Sequence, residues 1–385
     1  MSRIIRGQVI KLSPPNNKQA TYFAQASGVA RLAYNWALAE WQKQYQQDKD
    51  YRELCKYYDC MPEDRFLNHP HEAKLRKQLN ATKRIQYPFM LDVTKCAPQL
   101  AIKQLGDAFK RFFKGEAKYP QFRKKGIQDR FSLSNDQFSI HDKKIRIPNL
   151  GWVRMAEKLR YNGKILSAKI FKQGNQWFAS IAVELLNLEK LHPKTGRSVG
   201  VDLGVKDLAI LSNGEVIKSV APLKAQLSRL KRLNQSLSRK KKGSQNRLKA
   251  KAKLSKLHYR ISCVRNDYLH KLTSSLIKRF DVIAIEDLNT KGMMKNRKLS
   301  RVISDMGFYE FKRQLIYKAV EQGKQVKSVG RFFPSSKTCS RCGEISHNLT
   351  LKDRAWTCIC SARHDRDLNA AINILNHANK VLTAA

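Results

Sequence analysis

Three acidic residues, far apart in the sequence, have settings that suit a shared catalytic role. Asp202 lies at the centre of an apolar segment that predicts a buried strand, and Glu286 follows the apolar run VIAI. Asp367 opens the C-terminal segment DLNAAINIL, which has helical periodicity. A buried acid is costly unless a cation compensates its charge. Because oxygen-only ligands suit Mg²⁺ or Mn²⁺, the three carboxylates predict a site for two such ions, about 3.5–4 Å apart, of the kind that cleaves phosphodiesters.

The elements that must position these acids have a definite predicted order. Three strands begin near residue 198, with a hairpin turn at 212–214, and a helical hairpin over 223–276 follows. A strand ending at Glu286 comes next, then a helix to about Glu321 that Ser304 and Asp305 cap, another strand, a cysteine segment and a last helix. In a ribonuclease-H-like fold this order makes the first and fourth strands neighbours and packs the last helix against them. The alternative is that Asp367 only caps its helix and Glu286 is an exposed strand end.

Four cysteines near the C-terminus have the spacing of a metal site. Cys339-x₂-Cys342 is followed, after 15 residues, by Cys358-x-Cys360. Such spacing predicts one structural Zn²⁺ in a zinc ribbon over 336–362. The second pair is one residue shorter than the usual CxxC, so His364 and His347 are alternative ligands, and loss of the metal is the other alternative. Two further cysteines, Cys96 and Cys263, are predicted to be core residues.

The charge of the chain indicates a polyanionic partner. Its 385 residues carry 75 Lys and Arg against 31 Asp and Glu, a net charge of +44. Nucleic acid is the expected partner, because each phosphate contacted by Lys or Arg releases a counterion. Between Lys224 and Arg260 there are 14 basic residues and no acidic one, and the turn at Arg239, Lys240, Lys241 and Lys242 is the predicted phosphate contact. No apolar run of 18 residues and no signal-peptide core occur, which predicts a cytoplasmic protein on the bacterial nucleoid, without a membrane partner.

The first half of the chain predicts a β unit with a helical insertion. A strand over 3–12 precedes a helical pattern from about Gln19 to Tyr45 and an amphipathic basic segment at 92–113. Residues 130–187 then change to the alternation of short strands. No catalytic cluster is predicted in this half.

Six motifs together resemble one family. They are GVDLGVKDLAI, IAIEDLN, FFPSSKTCSRCG, HDRDLNAAINI, ISDMGFYEFKRQLIYKA and the N-terminal GVARLAYNWAL. In this combination the chain resembles, over essentially its whole length, the TnpB family of RNA-guided nucleases encoded by bacterial insertion sequences. That family is related to the compact type V CRISPR effectors.

The resemblance implies an α/β and α+β multidomain fold in which Asp202, Glu286 and Asp367 are a RuvC-type catalytic triad. The implied domains are a wedge β-barrel at 1–197 with a helical recognition insertion at about 16–115, an RNase H-like (RuvC) nuclease domain at 198–335, the inserted zinc ribbon at 336–362, the final helix at 363–378 and a tail at 379–385.

The resemblance also implies the partners. These are a guide RNA from the end of the element and double-stranded target DNA, with a monomer on the RNA. Lys95, Gln99 and Ser132 occupy positions at which the family contacts a short motif beside the target. The leading hypothesis is an RNA-guided, metal-dependent DNA endonuclease. A transposase that acts on element ends, or a guided DNA-binding repressor without cleavage, is the alternative.

Overall fold

The structure, a computed structural model, describes residues 4–63, 67–185, 193–350 and 353–383. For residues 381–383 it describes the backbone and not the side chains. The chain divides into two compact units, Met1–Asn187 and Leu188–Ala385. Each unit has its own apolar core. Within the described ranges, every helix is too short or too polar to cross a lipid bilayer.

Seven strands and three long helices lie in the described part of the first unit. In chain order they are β1 (Ile5–Lys11), α1 (Asn17–Tyr57), α2 (Glu72–Gln86), α3 (Cys96–Phe113), β2 (Arg130–Ser134), β3 (Ser139–His141), β4 (Lys144–Ile147), β5 (Gly151–Arg154), β6 (Gly163–Gln173) and β7 (Gln176–Leu185). One antiparallel sheet has the order β1-β7-β6-β2, and a second has the order β3-β4-β5. The predicted β unit with a helical insertion is confirmed.

The helices of this unit begin where the sequence provides caps. Asn16 and Gln19 form a capping box at the start of α1. This helix continues to Tyr57, beyond the predicted end at Tyr45, since the later positions Asp48 and Cys55 are buried as well. Pro98 lies in the first turn of α3, where its missing N–H leaves no helical hydrogen bond unmade. Helices α1 and α3 meet through Trp41 and Phe109, whose rings stack 4.1 Å apart.

The second unit follows the predicted order of elements. They are β8 (Ser198–Asp202), β9 (Ala209–Leu211), β10 (Val216–Ile217), α4 (Pro222–Ala225), α5 (Leu227–Ser238), α6 (Gln245–Arg279), β11 (Val282–Glu286), α7 (Thr290–Met293), α8 (Ser300–Met306), α9 (Phe308–Glu321), β12 (Gln325–Val329), β13 (Ala355–Thr357), β14 (Arg363–Asp365) and α10 (Arg366–Thr383). The main sheet has the order β10-β9-β8-β11-β12. Strands β8, β11 and β12 are parallel, and β9 is antiparallel to β8.

The helical hairpin differs from the prediction at both ends. A separate short helix, α4, precedes it, and α6 runs on to Arg279. Helix α8 begins at Ser300, so the predicted cap at Ser304 and Asp305 is wrong. Asp305 is instead buried, and its carboxylate accepts hydrogen bonds of 3.0 Å from the N–H groups of Leu223 and Lys224, which caps α4. The predicted core position of Cys263 is also wrong, because this residue is exposed.

The C-terminal boundaries also need correction. Residues 363–365 belong to strand β14, which pairs with β13, so the final helix begins at Arg366 and not at 363. It continues to Thr383, through most of the predicted tail at 379–385. Asp365 explains the start, because its Oδ1 accepts hydrogen bonds from the N–H groups of Asp367 (3.1 Å) and Leu368 (2.9 Å). Asp365 therefore caps α10, and the alternative that Asp367 serves only as a cap is wrong.

Candidate active site

Asp202 and Glu286 lie at the ends of neighbouring parallel strands. Val201 pairs with Ile285 across β8 and β11, and the two acids are the next residue on each strand. Asp202 is thus the last residue of β8, and its predicted place at the strand centre is wrong, because the chain turns away at 203–208 to form β9. The alternative of an exposed Glu286 is also wrong, since this residue is half-buried. The carboxyl ends of parallel strands are where such sheets bind ligands.

Helix α10 brings Asp367 to the same place because one glycine lets it approach the sheet. A Cβ on Gly200 would lie 2.0 Å from the carbonyl oxygen of Ala371 and 2.9 Å from the backbone nitrogen of Leu375. Gly200 and Asp202 are two residues apart on β8 and so face the same side of the sheet. Asp367 lies in the first turn of α10. The helix therefore covers the face of the sheet from which Asp202 projects.

The electrostatics of Asp202 show that the other two acids lie near it. Burial, followed by the charges of Glu286 and Asp367, raises the pKa of Asp202 to about 8, and Arg366 opposes this shift. Arg354 lies against Asp367, with Nη1 3.3 Å from Oδ2. A buried carboxyl beside two other acids favours a bound cation over joint ionisation. The oxygen-only donor set and the raised pKa fit Mg²⁺ or Mn²⁺.

A polar network that the sequence analysis missed holds Glu286. The hydroxyl of Ser335 donates a 2.5 Å hydrogen bond to its Oε1. The backbone carbonyl of Ser335 in turn accepts a 2.8 Å hydrogen bond from the side-chain amide of Asn373 on α10. Asn373 and Asn369 are buried and also bond the carbonyl of Thr338. The two amides in the otherwise apolar helix segment LNAAINIL were the signal available in the sequence.

The four predicted cysteines lie together. Their sulfur atoms are all within 4.8 Å of one another, with 3.5 Å between Cys342 and Cys358 and 3.7 Å between Cys339 and Cys360. Nε2 of His364 is 3.0 Å from the sulfur of Cys339. His347 is exposed and is not part of this group. Within the described ranges, no other group of at least three His, Cys, Asp or Glu side chains is gathered this closely, so Asp202, Glu286 and Asp367 are neighbours that do not form so tight a cluster.

The surroundings of Cys339 and Cys342 shift the pKa values of their thiols in opposite directions. Burial would raise the pKa of Cys339, but the N–H groups of Cys342 and Arg341 and the ring of His364 outweigh it and hold the pKa at about 6. The N–H of Glu344 would lower the pKa of Cys342, yet burial and the neighbouring thiols raise it to about 12. A lowered pKa at Cys339 beside a raised pKa at Cys342 suits a cluster that could bind Zn²⁺, which would displace the remaining protons.

The predicted nucleic-acid residues occupy two surfaces. Arg239, Lys241 and Lys242 are exposed and Lys240 is half-buried, in the turn that joins α5 to α6. Arg247 fixes this turn, because its Nη1 donates to the carbonyls of Leu237 and Lys240 at 2.8 Å.

In the first unit, an exposed Lys95 directly precedes α3, and a half-buried Gln99 lies in its first turn. Ser132 lies on β2 and accepts a 3.0 Å hydrogen bond from Gln104 of α3. The three residues thus lie on two elements that contact each other.

Family models match three stretches of the chain. A model of the IS605 OrfB type, described as "Probable transposase", matches residues 180–297. A "Cas12f1-like, TNB domain" matches 308–374, and a "Helix-turn-helix domain" matches 14–50. In the last stretch the structure forms one uninterrupted helix, α1, and not two.

Similar proteins extend the match over most of the chain. A Streptomyces pristinaespiralis protein named "Putative RNA-guided DNA endonuclease" is 32% identical, over 94% of this chain and 86% of the relative. The Escherichia coli (strain K12) protein of the same name, InsQ, is 31% identical, over 96% of this chain and 91% of the relative. The fold is similar to that of a Cas12f1–sgRNA–target DNA complex solved by cryo-EM, with a TM-score of 0.56 and 12% identity, over 97% of this chain and 99% of the other. On these similarities, the chain belongs to the TnpB family of IS605-type elements.

Proposed function

We propose that this protein is an RNA-guided DNA endonuclease of a transposable element, and that its second unit carries out a RuvC-type, Mg²⁺-dependent cleavage of both strands of a target. The observation that carries the proposal is the setting of Asp202. This carboxyl lies at the end of β8 beside Glu286, under helix α10, and its pKa is raised to about 8 by burial and by the other two acids. The relatives named as RNA-guided DNA endonucleases support the guided character of the reaction.

The proposed domains follow the two units. The sheet order β10-β9-β8-β11-β12, with its second strand reversed, supports an RNase H-like nuclease domain at 198–335 and a final helix that carries Asp367. The two antiparallel sheets support a wedge barrel within 1–197, and α1 to α3 support the helical recognition insertion at about 16–115. The cysteine group supports a zinc ribbon at 336–362.

In the proposed reaction, Asp202, Glu286 and Asp367 would hold two divalent metal ions, which would supply activation of a water and charge stabilisation for the leaving oxygen of the phosphodiester. The hydroxyl of Ser335 orients the Glu286 carboxylate through its 2.5 Å hydrogen bond. Gly200 sets the distance between α10 and the sheet, and so the position of Asp367.

The proposed partners are a guide RNA and double-stranded target DNA, bound by one copy of the chain. Arg239 to Lys242 would contact phosphates, since the stretch from Lys224 to Arg260 contains no acid that neutralises them. Lys95, Gln99 and Ser132 would contact the short motif beside the target, on the surface that α3 and β2 share. The structural zinc would fix the segment between β12 and α10.

The test is cleavage of a matched plasmid by protein purified with its own RNA. We expect a discrete copurified RNA and a double-strand cut that requires Mg²⁺ and a matched target. Asp202→Ala should lower the cleavage rate by several orders of magnitude while target binding is retained, because removal of one metal ligand withdraws transition-state stabilisation but few phosphate contacts. Asp267→Ala, which removes an exposed acid of α6 paired with Lys271, is the control and should cut normally.

Cleavage by Asp202→Ala at the wild-type rate would contradict the catalytic assignment. A wild-type protein that binds a matched target with Mg²⁺ present and leaves it intact would instead indicate a guided DNA-binding repressor. If no RNA copurifies and the protein acts only on element ends, a transposase is indicated.

A further inference from the structure

A cavity of about 290 Å³ lies directly beside Glu286, where β11 ends and the chain turns toward α9. Its apolar walls are formed by Leu203, Leu288, Phe308 and Ile316. Its polar lining is formed by Asp287, Thr290 and Lys312, and Glu286 itself contributes to one side. A ligand in this cavity would therefore lie against one of the proposed catalytic carboxylates.

Part of the apolar surface at this cavity is not covered by other residues of the second unit. Tyr309 is 70% exposed and Ile316 is 43% exposed, both on the face of α9 that borders the cavity. Exposed apolar side chains that surround a concave site and adjoin polar groups are typical of a binding site. The volume lies at the lower limit of about 300–1,000 Å³ typical of small-molecule pockets, which suits one flat ring system and not several stacked nucleotides.

The charges around the cavity suit a nucleotide. Nζ of Lys312 is 2.7 Å from Oδ1 of Asp287, and Arg331 contacts Oδ2 of the same carboxylate at 3.4 Å. Lys312 and Arg331 thus place two cations beside the cavity, and each can also contact an adjacent phosphate. The carboxylate of Asp287 and the hydroxyl of Thr290 can accept hydrogen bonds from the edge of a base.

We propose that this cavity binds the base of one nucleotide of the DNA strand being cut, next to the scissile phosphate. The inference rests on the proposed function, because it assigns a substrate-binding site to the same catalytic centre. In this arrangement the apolar walls contact the two faces of the base, and Lys312 lies on the side of the sugar–phosphate backbone of the DNA. A base can enter only if it leaves its stack, so the strand is single-stranded at the cut.

An abasic scan of the substrate tests this proposal on the unmodified protein. Single-stranded oligonucleotides that match the guide carry one abasic site at successive positions around the cut, and each is cleaved under single-turnover conditions. We expect cleavage to slow about tenfold at one position only, since the contact of one base with an apolar platform is worth about that factor. Equal sensitivity at every position, or none, overturns the proposal.

A matched pair of variants locates the effect. Ile316→Trp fills the cavity, and Val320→Trp places the same side chain one turn further along α9, where Val320 is 71% exposed and does not line the cavity. Ile316→Trp should slow cleavage of the intact substrate about tenfold and abolish the sensitivity to the abasic site. Val320→Trp should behave as the wild type. Unchanged cleavage by Ile316→Trp overturns the proposal.

The two proposals fail in different ways. If the wild-type protein, loaded with RNA and Mg²⁺, does not cut a matched substrate, the proposed function fails. If the wild type and Val320→Trp cut equally, and Ile316→Trp cuts equally too with the same abasic profile, only the base-binding cavity is rejected. The abasic scan of the wild type remains decisive even if Ile316→Trp does not fold.

Discussion

At the scale of single residues, the candidate active site depends as much on a missing side chain as on its three acids. Gly200 lies in β8 opposite Ala284 of β11, so the sheet presents two small residues to α10 at this level. Ala284 packs against Ile374 and Ala378 of the helix. Because α10 carries Asp367, the depth of this contact sets where that carboxylate lies relative to Asp202.

We therefore predict that Gly200→Ala impairs catalysis more than folding. The new Cβ would lie 2.0 Å from the carbonyl oxygen of Ala371, and backbone atoms cannot yield as a flexible side chain does. Helix α10 must move outward, at a cost of about 1–3 kcal/mol in the free energy of unfolding. A displacement of about 1 Å at a catalytic group can cost about 100-fold in rate. Thermal unfolding and single-turnover cleavage measure the two effects.

The control for this prediction is Gly7→Ala. Gly7 is also a strand glycine, in β1, but a Cβ there meets no atom within 4 Å. This variant should retain the wild-type rate and stability. Wild-type cleavage by Gly200→Ala would show that the spacing of α10 does not control the position of Asp367.

Candidate residues could be predicted where the neighbouring sequence is distinctive. They could not be predicted where the role of a residue depends on a contact with a distant part of the chain. Asp202, Glu286 and Asp367 could be proposed as candidates because acids next to apolar runs are rare without a role. Ser335 could not, since its importance comes from a hydrogen bond to Glu286, 49 residues away. The prediction that Asp202 lies at the centre of its strand was wrong for the same reason. The end of β8 is set by its pairing with β9 and β11, which are distant in the sequence from one another.

At the scale of elements, the cysteine segment is joined to the candidate active site by hydrogen bonds. The N–H of Ser340 donates to the side-chain oxygen of Asn369 at 3.0 Å, and the amide of Asn373 donates to Thr338 at 2.6 Å. Both asparagines belong to α10, as does Asp367. A metal that fixes this segment would therefore also fix the helix that carries the third acid.

We predict that Cys342→Ser lowers the zinc content from about one ion per chain to far below one. The variant should unfold at a lower temperature and cut more slowly, since the free energy of metal binding contributes to folding. Four protein ligands close such a site, so the effect on cleavage should follow stability and not chemistry. Metal analysis of purified protein, with thermal unfolding, measures both.

Two further variants make this prediction specific. Cys263→Ser changes an exposed cysteine of α6, outside the group, and should keep both zinc and stability. His364→Ala tests the ring that lies 3.0 Å from Cys339, and retention of zinc there would leave the four thiolates as the ligand set. A metal-free wild type that cleaves DNA would exclude the zinc site.

Element types were predictable from the sequence, but several boundaries were not. The short strand β14 forms only because β13 pairs with it, and Asp365 then caps α10. Likewise, Leu257, Ile261 and Val264 have the heptad spacing of one apolar face of α6. Leu257 and Ile261 are buried, whereas Val264 is 45% exposed. Periodicity gives the face of a helix, whereas a partner element decides how far that face is covered.

At the scale of the whole molecule, a net charge of +44 favours nucleic-acid binding wherever cations lack acidic neighbours. Some other basic residues of the chain are neutralised locally. Lys158 pairs with Asp142 at 2.6 Å, and Lys271 pairs with Asp267 at 2.7 Å. The turn at 239–242 differs, since the whole stretch from Lys224 to Arg260 contains no acid.

We predict that Gln at positions 239, 240, 241 and 242 weakens RNA and target binding and reduces its salt dependence. Each lost phosphate contact should reduce the slope of log K against log salt by about 0.7 for single strands and about 0.9 for duplex DNA. The turn itself should persist, because Arg247 and the cap at Ser244 hold its backbone.

A control variant removes four cations that have acidic partners and so changes the net charge equally. Its substitutions, each to Gln, are at Lys49, Lys158, Arg160 and Lys271. If both quadruple variants lower the slope equally, the effect is one of total charge and the turn is an ordinary solvated loop. A lower slope in the turn variant alone places the phosphates at the hairpin.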